Sequence, residues 1–289
     1  MIIHNMKNKS NYDRFPATSI KDGMLIKGWD GILNKIIPHA DNRVISIECY
    51  HGVHFDELMA QFKKIPHTLF VDARSYFKPE EEILQLTQGF ITEDVLFGYL
   101  GNLSISDYFD ESSLSIIREE IVAVAKKGNI ILFGPGSSLI ADPDMLIYAD
   151  MPRWEIQQRM RRKEVTGLGI DNRNEPFSIQ YKRGYFNDWN ILDKHKKKLY
   201  DKVDYWLDTT KEEPKLIDKK TFFAGIEKTA RKPFRVVPFF DPAPWGGQWM
   251  KETCDLDRSV SNYGWCFDCV PEENSLLFDI GGELRVLSI

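Results

Sequence analysis

Residues suited to handling a phosphoryl group sit at four places in this sequence. Asp72 closes the apolar run "HTLFVDARSYF", where a strand-end carboxylate can accept a hydroxyl proton or simply anchor a turn. Gly52 follows "NRVISIECY" and is the one glycine of the turn "HGVHFDEL", where the backbone can approach an anion closely. Arg159, Arg161 and Arg162 in "RWEIQQRMRRKE" bring guanidinium forks that match phosphate oxygens. Alternate helix positions face different ways, however, and Glu155 and Glu164 can neutralise the stripe, so a solvated helix face is the plainer reading. "FGPGSSL" at 133–139 offers glycines and serines for an anion but has no flanking Lys, and equally suits a strand-to-helix turn.

No metal site is expected in the chain. His51 and His54 lack a nearby third ligand and suit turn or core roles. Cys266 and Cys269 in "CFDC" have zinc-knuckle spacing, but no His follows residue 230, so they and Cys254 are expected to be ordinary thiols. Cys49 lies in an apolar run and reads as a small buried hydrophobe. "DKHKKK" at 193–198 reads as a solvated surface.

The elements that must position these residues alternate between strand and helix. A polar arm over 1–18 precedes "GWDGILNKIIPHA", a short helix ended by Pro38. "NRVISIECY" is the first strand, and "FDELMAQFKKI" sets Phe55, Leu58, Met59 and Phe62 on one helical face. "HTLFVDARSYF" is the second strand, followed by the amphipathic helices "PEEEILQLTQGF" and "ESSLSIIREEIVAVAKKG". "NIILFGPGSSLI" and "DMLIYADMP" are further strands, and "KKKLYDKVDYWLDTT" reads as a helix end running into another. Apolar strands without strict alternation, separated by helices, predict an α/β fold with a doubly wound parallel sheet over 19–228. The charged "TTKEEPKLIDKK" reads as a loop or boundary, after which Pro, Trp and Gly dominate and 229–289 is expected to open a small all-β unit.

With 43% hydrophobic and 28% charged residues, the composition is that of a globular chain. A net charge of −5 argues against a nucleic-acid partner. Nothing approaches the ~18 apolar residues of a membrane span. "MIIHNMKNKSNYDRFP" has no signal-peptide core, so a cytoplasmic location is expected.

Four segments carry a resemblance to P-loop nucleoside kinases such as uridine kinase. They are "VISIECYHGVHFDEL", "LFVDARSYF", "LIYADMPRWEIQQRMRRKE" and "YDKVDYWLDTT". The resemblance implies a strand entering a phosphate loop at Gly52, an acceptor-facing Asp72 and an arginine-bearing lid helix. A working loop needs a Lys and a hydroxyl. This chain has Val53, His54 and Phe55 there, then Asp56 and Glu57, whose charge would repel a triphosphate. A degenerate, non-catalytic kinase-like domain is therefore expected.

A second resemblance lies further on. "FRVVPFFDPAPWGGQWMKETCDLD" and "NYGWCFDCVPEENSLLFD", with Trp245, Gly246 and Gly247 at the turn, look like the opening of class I mannose-6-phosphate isomerases. That family implies a cupin domain and zinc-dependent aldose–ketose isomerisation, with zinc ligands on strands beyond this opening. No cofactor is expected in this chain itself, zinc belonging to a full-length relative. The expectation is the N-terminal part of an isomerase-related protein of carbohydrate metabolism, its first domain docking a partner or sensing a ligand. A phosphorylated sugar or nucleotide is the expected ligand, and a partner chain or a continuation past Ile289 is expected to complete the cupin. Two alternatives stand beside it: a divergent nucleoside or sugar phosphotransferase using Asp72, and a sugar-phosphate isomerase completed by another chain.

Overall fold

The computed structural model describes residues 13, 15–39, 43–94, 97–232, 236–238, 265–267, 270–271 and 273–287. The chain enters through two short strands, β1 (Ala17–Ser19) and β2 (Ile26–Lys27), and helix α1 (Trp29–Ile36). Then follow β3 (Val44–Cys49), α2 (Phe55–Phe62), β4 (Leu69–Asp72), α3 (Glu80–Ile91), α4 (Glu111–Val124) and β5 (Ile130–Phe133). The second half runs β6 (Met145–Asp150), α5 (Arg153–Arg161), α6 (Phe177–Arg183), α7 (Trp189–Leu199), β7 (Tyr205–Asp208), β8 (Lys215–Asp218) and α8 (Lys219–Ala230). Short strands β9 (Val236–Pro238), β10 (Trp265–Phe267), β11 (Leu276–Asp279) and β12 (Glu283–Val286) follow.

Seven strands form the main sheet in the order β2-β8-β7-β6-β3-β5-β4. The pairs β7–β6, β6–β3, β3–β5 and β5–β4 are parallel, whereas β7–β8 and β8–β2 are antiparallel. The expected doubly wound parallel sheet is thus corrected to a mixed one. Connection length explains the difference. Only six residues separate β7 from β8, too few for the helical crossover that a parallel neighbour needs. Part of the charged "TTKEEPKLIDKK", expected to be loop, is strand β8, because Leu216 and Ile217 bury fully between flanking charges.

The central strands follow their sequences closely. Every residue of β5 and β6 is buried, as are five of the six in β3, so both faces of the sheet's middle are covered. At the other end of the chain, β11 and β12 form a hairpin, and β11 pairs parallel with β1. This three-stranded sheet packs onto the main one. Phe278, Leu284 and Val286 join the same buried cluster as the main sheet, and the Arg285 amide donates to Asp208 Oδ2 at 2.8 Å. Behind the sheet, Trp206 of β7 stacks on Phe222 of α8 at 4.2 Å, and the Phe278 ring lies 6.5 Å from Phe222. Among the described residues, no helix is long and apolar enough to cross a membrane.

Phe278 is fully buried, so Phe278→Ala should cost roughly 3–5 kcal/mol of unfolding free energy. Chemical denaturation should show one transition moved to lower denaturant. An unmoved main transition beside a new early one would mean that the hairpin unfolds independently.

Candidate functional site

A crevice opens where β3, β4 and β5 end, the edge at which parallel strands usually present ligands. It has two adjoining lobes that share Phe55, Arg74 and Thr166. The larger, about 420 Å³, is bounded by residues 52–57, 163–166 and Arg173. The smaller, about 270 Å³, lies among His51, Phe77, Lys78, Pro135 and residues 167–170.

Gly52 lines the crevice and holds φ +85°, in the left-handed region. A Cβ there would come within 2.7 Å of Ile156 on α5, so the glycine serves close helix packing. Its carbonyl accepts from Arg159 Nη1 at 2.8 Å. The buried Arg159 also donates to the Thr209 carbonyl at 3.1 Å and to Glu155 at 3.1 Å, tying the turn after β3 to α5 and to the end of β7. Arg161 lies over the Phe177 ring at 3.6 Å, and Arg162 forks onto Glu155 and Glu164 at 2.7–3.0 Å. None of the three arginines lines the crevice.

Asp72 is similarly engaged. Its Oδ1 accepts from the Arg74 amide and Nε, each at 3.0 Å, and its Oδ2 accepts from Arg74 Nη2 at 2.6 Å. Arg74 in turn covers the Phe55 ring at 4.4 Å. A carboxylate held this way by a guanidinium fork anchors the turn. Trp245, Gly246 and Gly247 lie outside the described residues.

The group that organises the site is one the sequence reading passed over. Glu48, inside β3, is buried, and its carboxylate fills the "FGPGSSL" turn. Oε2 accepts from the Gly136 amide at 2.9 Å, while Oε1 accepts from the Ser138 amide at 2.9 Å and its hydroxyl at 2.5 Å. His195 Nε2 completes the set at 2.9 Å from Oε1. Burial by itself would raise the Glu48 pKa, but the His195 and Ser138 contacts outweigh it and hold the carboxyl below its ordinary 4.5. The turn that looked able to cradle an external anion therefore holds an internal one.

His51 is fixed with equal definition. Trp189 Nε1 donates to its Nδ1 at 2.9 Å, and an indole N–H can only donate. The proton must then sit on Nε2, which donates to the Thr166 carbonyl at 2.7 Å. Burial lowers the His51 pKa below its ordinary 6.5, opposed by Asp188. His54 stands between two acids at the lip, 3.4 Å from Glu57 and 3.3 Å from Glu164. Asp56 and Glu57 occupy the first turn of α2, where an anion would otherwise be favoured. Lys163 sits on the lip at φ +59°. Among the described residues no group of three or more His, Cys, Asp or Glu is placed to hold a metal ion.

Residues 28–231 match the model of a family described as Domain of unknown function (DUF8485). The chain belongs to that family. No curated protein matches the chain.

Two signals for the missed residues were present in the sequence. Glu48 is a lone acid in an otherwise apolar strand, which costs too much unless it is bonded. "DKHKKK", expected to be solvated, instead buries His195 and Lys196. Leu192, His195, Lys196 and Leu199 fall at the i, i+3, i+4, i+7 spacing of a buried helix face.

Acid should destabilise the fold in two stages. His51 stays neutral in the fold but takes a proton in the unfolded chain, so stability declines as pH falls below 6.5. The Glu48 contribution is present above 4.5 and is lost as pH drops through its lower folded value. Glu48→Gln should lose about 2 kcal/mol at neutral pH and flatten the curve below 4.5, read as urea midpoints against pH. Parallel curves for wild type and variant would contradict the assignment.

Proposed function

We propose that this domain is a non-catalytic, ligand-sensing or docking part of a mannose-6-phosphate isomerase-related protein, its crevice taking a small phosphorylated sugar. The observation that carries the non-catalytic reading is the Glu48 carboxylate bonded to the Gly136 and Ser138 amides. Backbone donors that could meet a phosphate are already satisfied by a charge the chain supplies. Two further features support the reading. Asp56 and Glu57 place negative charge at the start of α2, and Asp72 is engaged by Arg74.

The crevice is mixed in sign, which favours one ligand class over another. Lys163 suits a single phosphate, with Arg74 and Arg173 beside it already paired to Asp72 and Asp171, whereas Asp56, Glu57 and Glu164 suit hydroxyl groups and disfavour a triphosphate. A sugar monophosphate presents both kinds of group. The link to isomerases rests on the sequence resemblance of residues 234–289.

Isothermal titration with mannose 6-phosphate should give saturable binding without conversion, weakened about fivefold by Lys163→Ala. ATP with Mg²⁺ at millimolar concentration should give neither binding heat nor turnover. ATP-dependent phosphorylation of any sugar or nucleoside, lost in Asp72→Asn, would overturn the proposal.

A further inference from the structure

Among the described residues, exposed large apolar side chains are most concentrated along one ridge. α6, a π-helical stretch at Gly184–Asp188 and α7 follow one another without a break, so that 177–199 is a single helical rod. The segment after α3 runs beside this rod and advances in step with it. Lys182 donates to the carbonyls of Thr92 and Asp94. Gly98 lies close over Phe186, whose ring a Cβ there would meet at 2.8 Å. Further along, Asn190 Nδ2 and Lys194 Nζ each donate to the Gly101 carbonyl at 2.8 Å.

Phe97, Tyr99 and Leu100 are 65–70% exposed on this segment, and Tyr185 of the rod is 47% exposed beside them. Their backbone is nevertheless tied down. The Phe97 amide donates to Asp94 Oδ1 and its carbonyl accepts from Thr92 Oγ1, each at 2.7 Å. The Tyr99 amide donates to the Phe90 carbonyl at 2.8 Å. Leu100 and Tyr185 share the wall of a shallow cavity of about 330 Å³ with Lys194 and Lys197. The Tyr181 ring stacks on Tyr185 at 6.3 Å and extends the ridge. Apolar side chains grouped in water and fixed there by backbone bonds mark an interaction surface.

Charge along the ridge selects the partner. Glu93 and Asp94 stand exposed at the end held by Lys182, and Lys194 and Lys197 stand exposed at the other. From Lys182 to Lys194 the rod advances roughly 18 Å. The ridge is thus negative at one end, apolar in the middle and positive at the other. An anionic lipid surface or a uniformly acidic partner would be repelled at Glu93 and Asp94. A second copy related by a two-fold axis meets no such conflict, because each residue of a pair faces its counterpart crosswise. With the two rods antiparallel, each acid end meets the other copy's lysines and the apolar centres meet each other. We propose that this ridge binds a second copy of the chain, with Phe97, Tyr99, Leu100 and Tyr185 at the centre and Glu93 of each copy facing Lys194 and Lys197 of the other. The central side chains carry the affinity, while the exposed ion pairs set the orientation. This surface is independent of the reading of the crevice.

The test is sedimentation equilibrium of the intact chain. Wild type should form a reversible dimer with a Kd below about 100 µM. Leu100→Asp should weaken it at least about fiftyfold with an unchanged melting temperature. Glu93→Lys and Lys197→Glu should each weaken it about tenfold, since a two-fold axis counts every change twice. An equimolar mixture of these two variants should regain wild-type affinity, because both crosswise pairs are then opposite in sign. Should Leu100→Asp fail to fold, the charge-exchange mixture carries the test alone. A wild type that stays monomeric at about 100 µM would overturn the proposal. So would a dimer indifferent to folded Leu100→Asp, or a mixture no tighter than its two components. Monomeric wild type that instead sediments with phosphatidylserine vesicles through Leu100 would also overturn it, in favour of a membrane.

Discussion

The carboxylate of Glu48 on the amides of Gly136 and Ser138 is the interaction around which this fold is arranged. It joins the middle strand β3 to the turn after β5 and, through His195, to α7. Each partner would be expensive to bury alone: two backbone N–H groups, a carboxylate and an imidazole. Together they satisfy one another and leave the turn with no donor to spare for an outside anion. The same contact therefore ties the sheet's centre to this turn and fills the turn's donors from within.

Around that contact, positions suited to phosphate chemistry have been turned to structural work. Arg159 holds the Gly52 turn against α5 and β7, and Arg74 neutralises Asp72. His51 is locked as a neutral donor between Trp189 and Thr166. These are short, mutually dependent bonds at the C-terminal ends of the parallel strands, where a transferase would need groups free to change partners. What remains open is a crevice of mixed charge, and the proposed recognition role rests on it.

Much of the α/β architecture was legible because its signals are local. Continuous apolar runs marked β3, β5 and β6, and the helical face of Phe55, Leu58, Met59 and Phe62 marked α2. The antiparallel edge was not legible, since strand direction depends on how far the chain must travel to reach its neighbour. The return of β11 onto β1 joins residues from opposite ends of the chain, and no local pattern encodes such a pairing. At the site, Asp72 and Gly52 were found by type and position, but their partners Arg74 and Arg159 define their roles. Glu48 and His195 escaped because an acid in an apolar strand and a His in a run of lysines each look ordinary until the tertiary fold brings them together.

Chemical rescue tests the central claim most directly. Glu48→Ala removes the internal carboxylate and leaves the Gly136 and Ser138 amides facing a small void. Acetate titrated into this variant should raise its melting temperature in a saturable manner, while wild type, its donors already satisfied, should not respond. Equal responses of the two proteins to acetate, or no response from the folded variant, would contradict the view that Glu48 occupies an anion site.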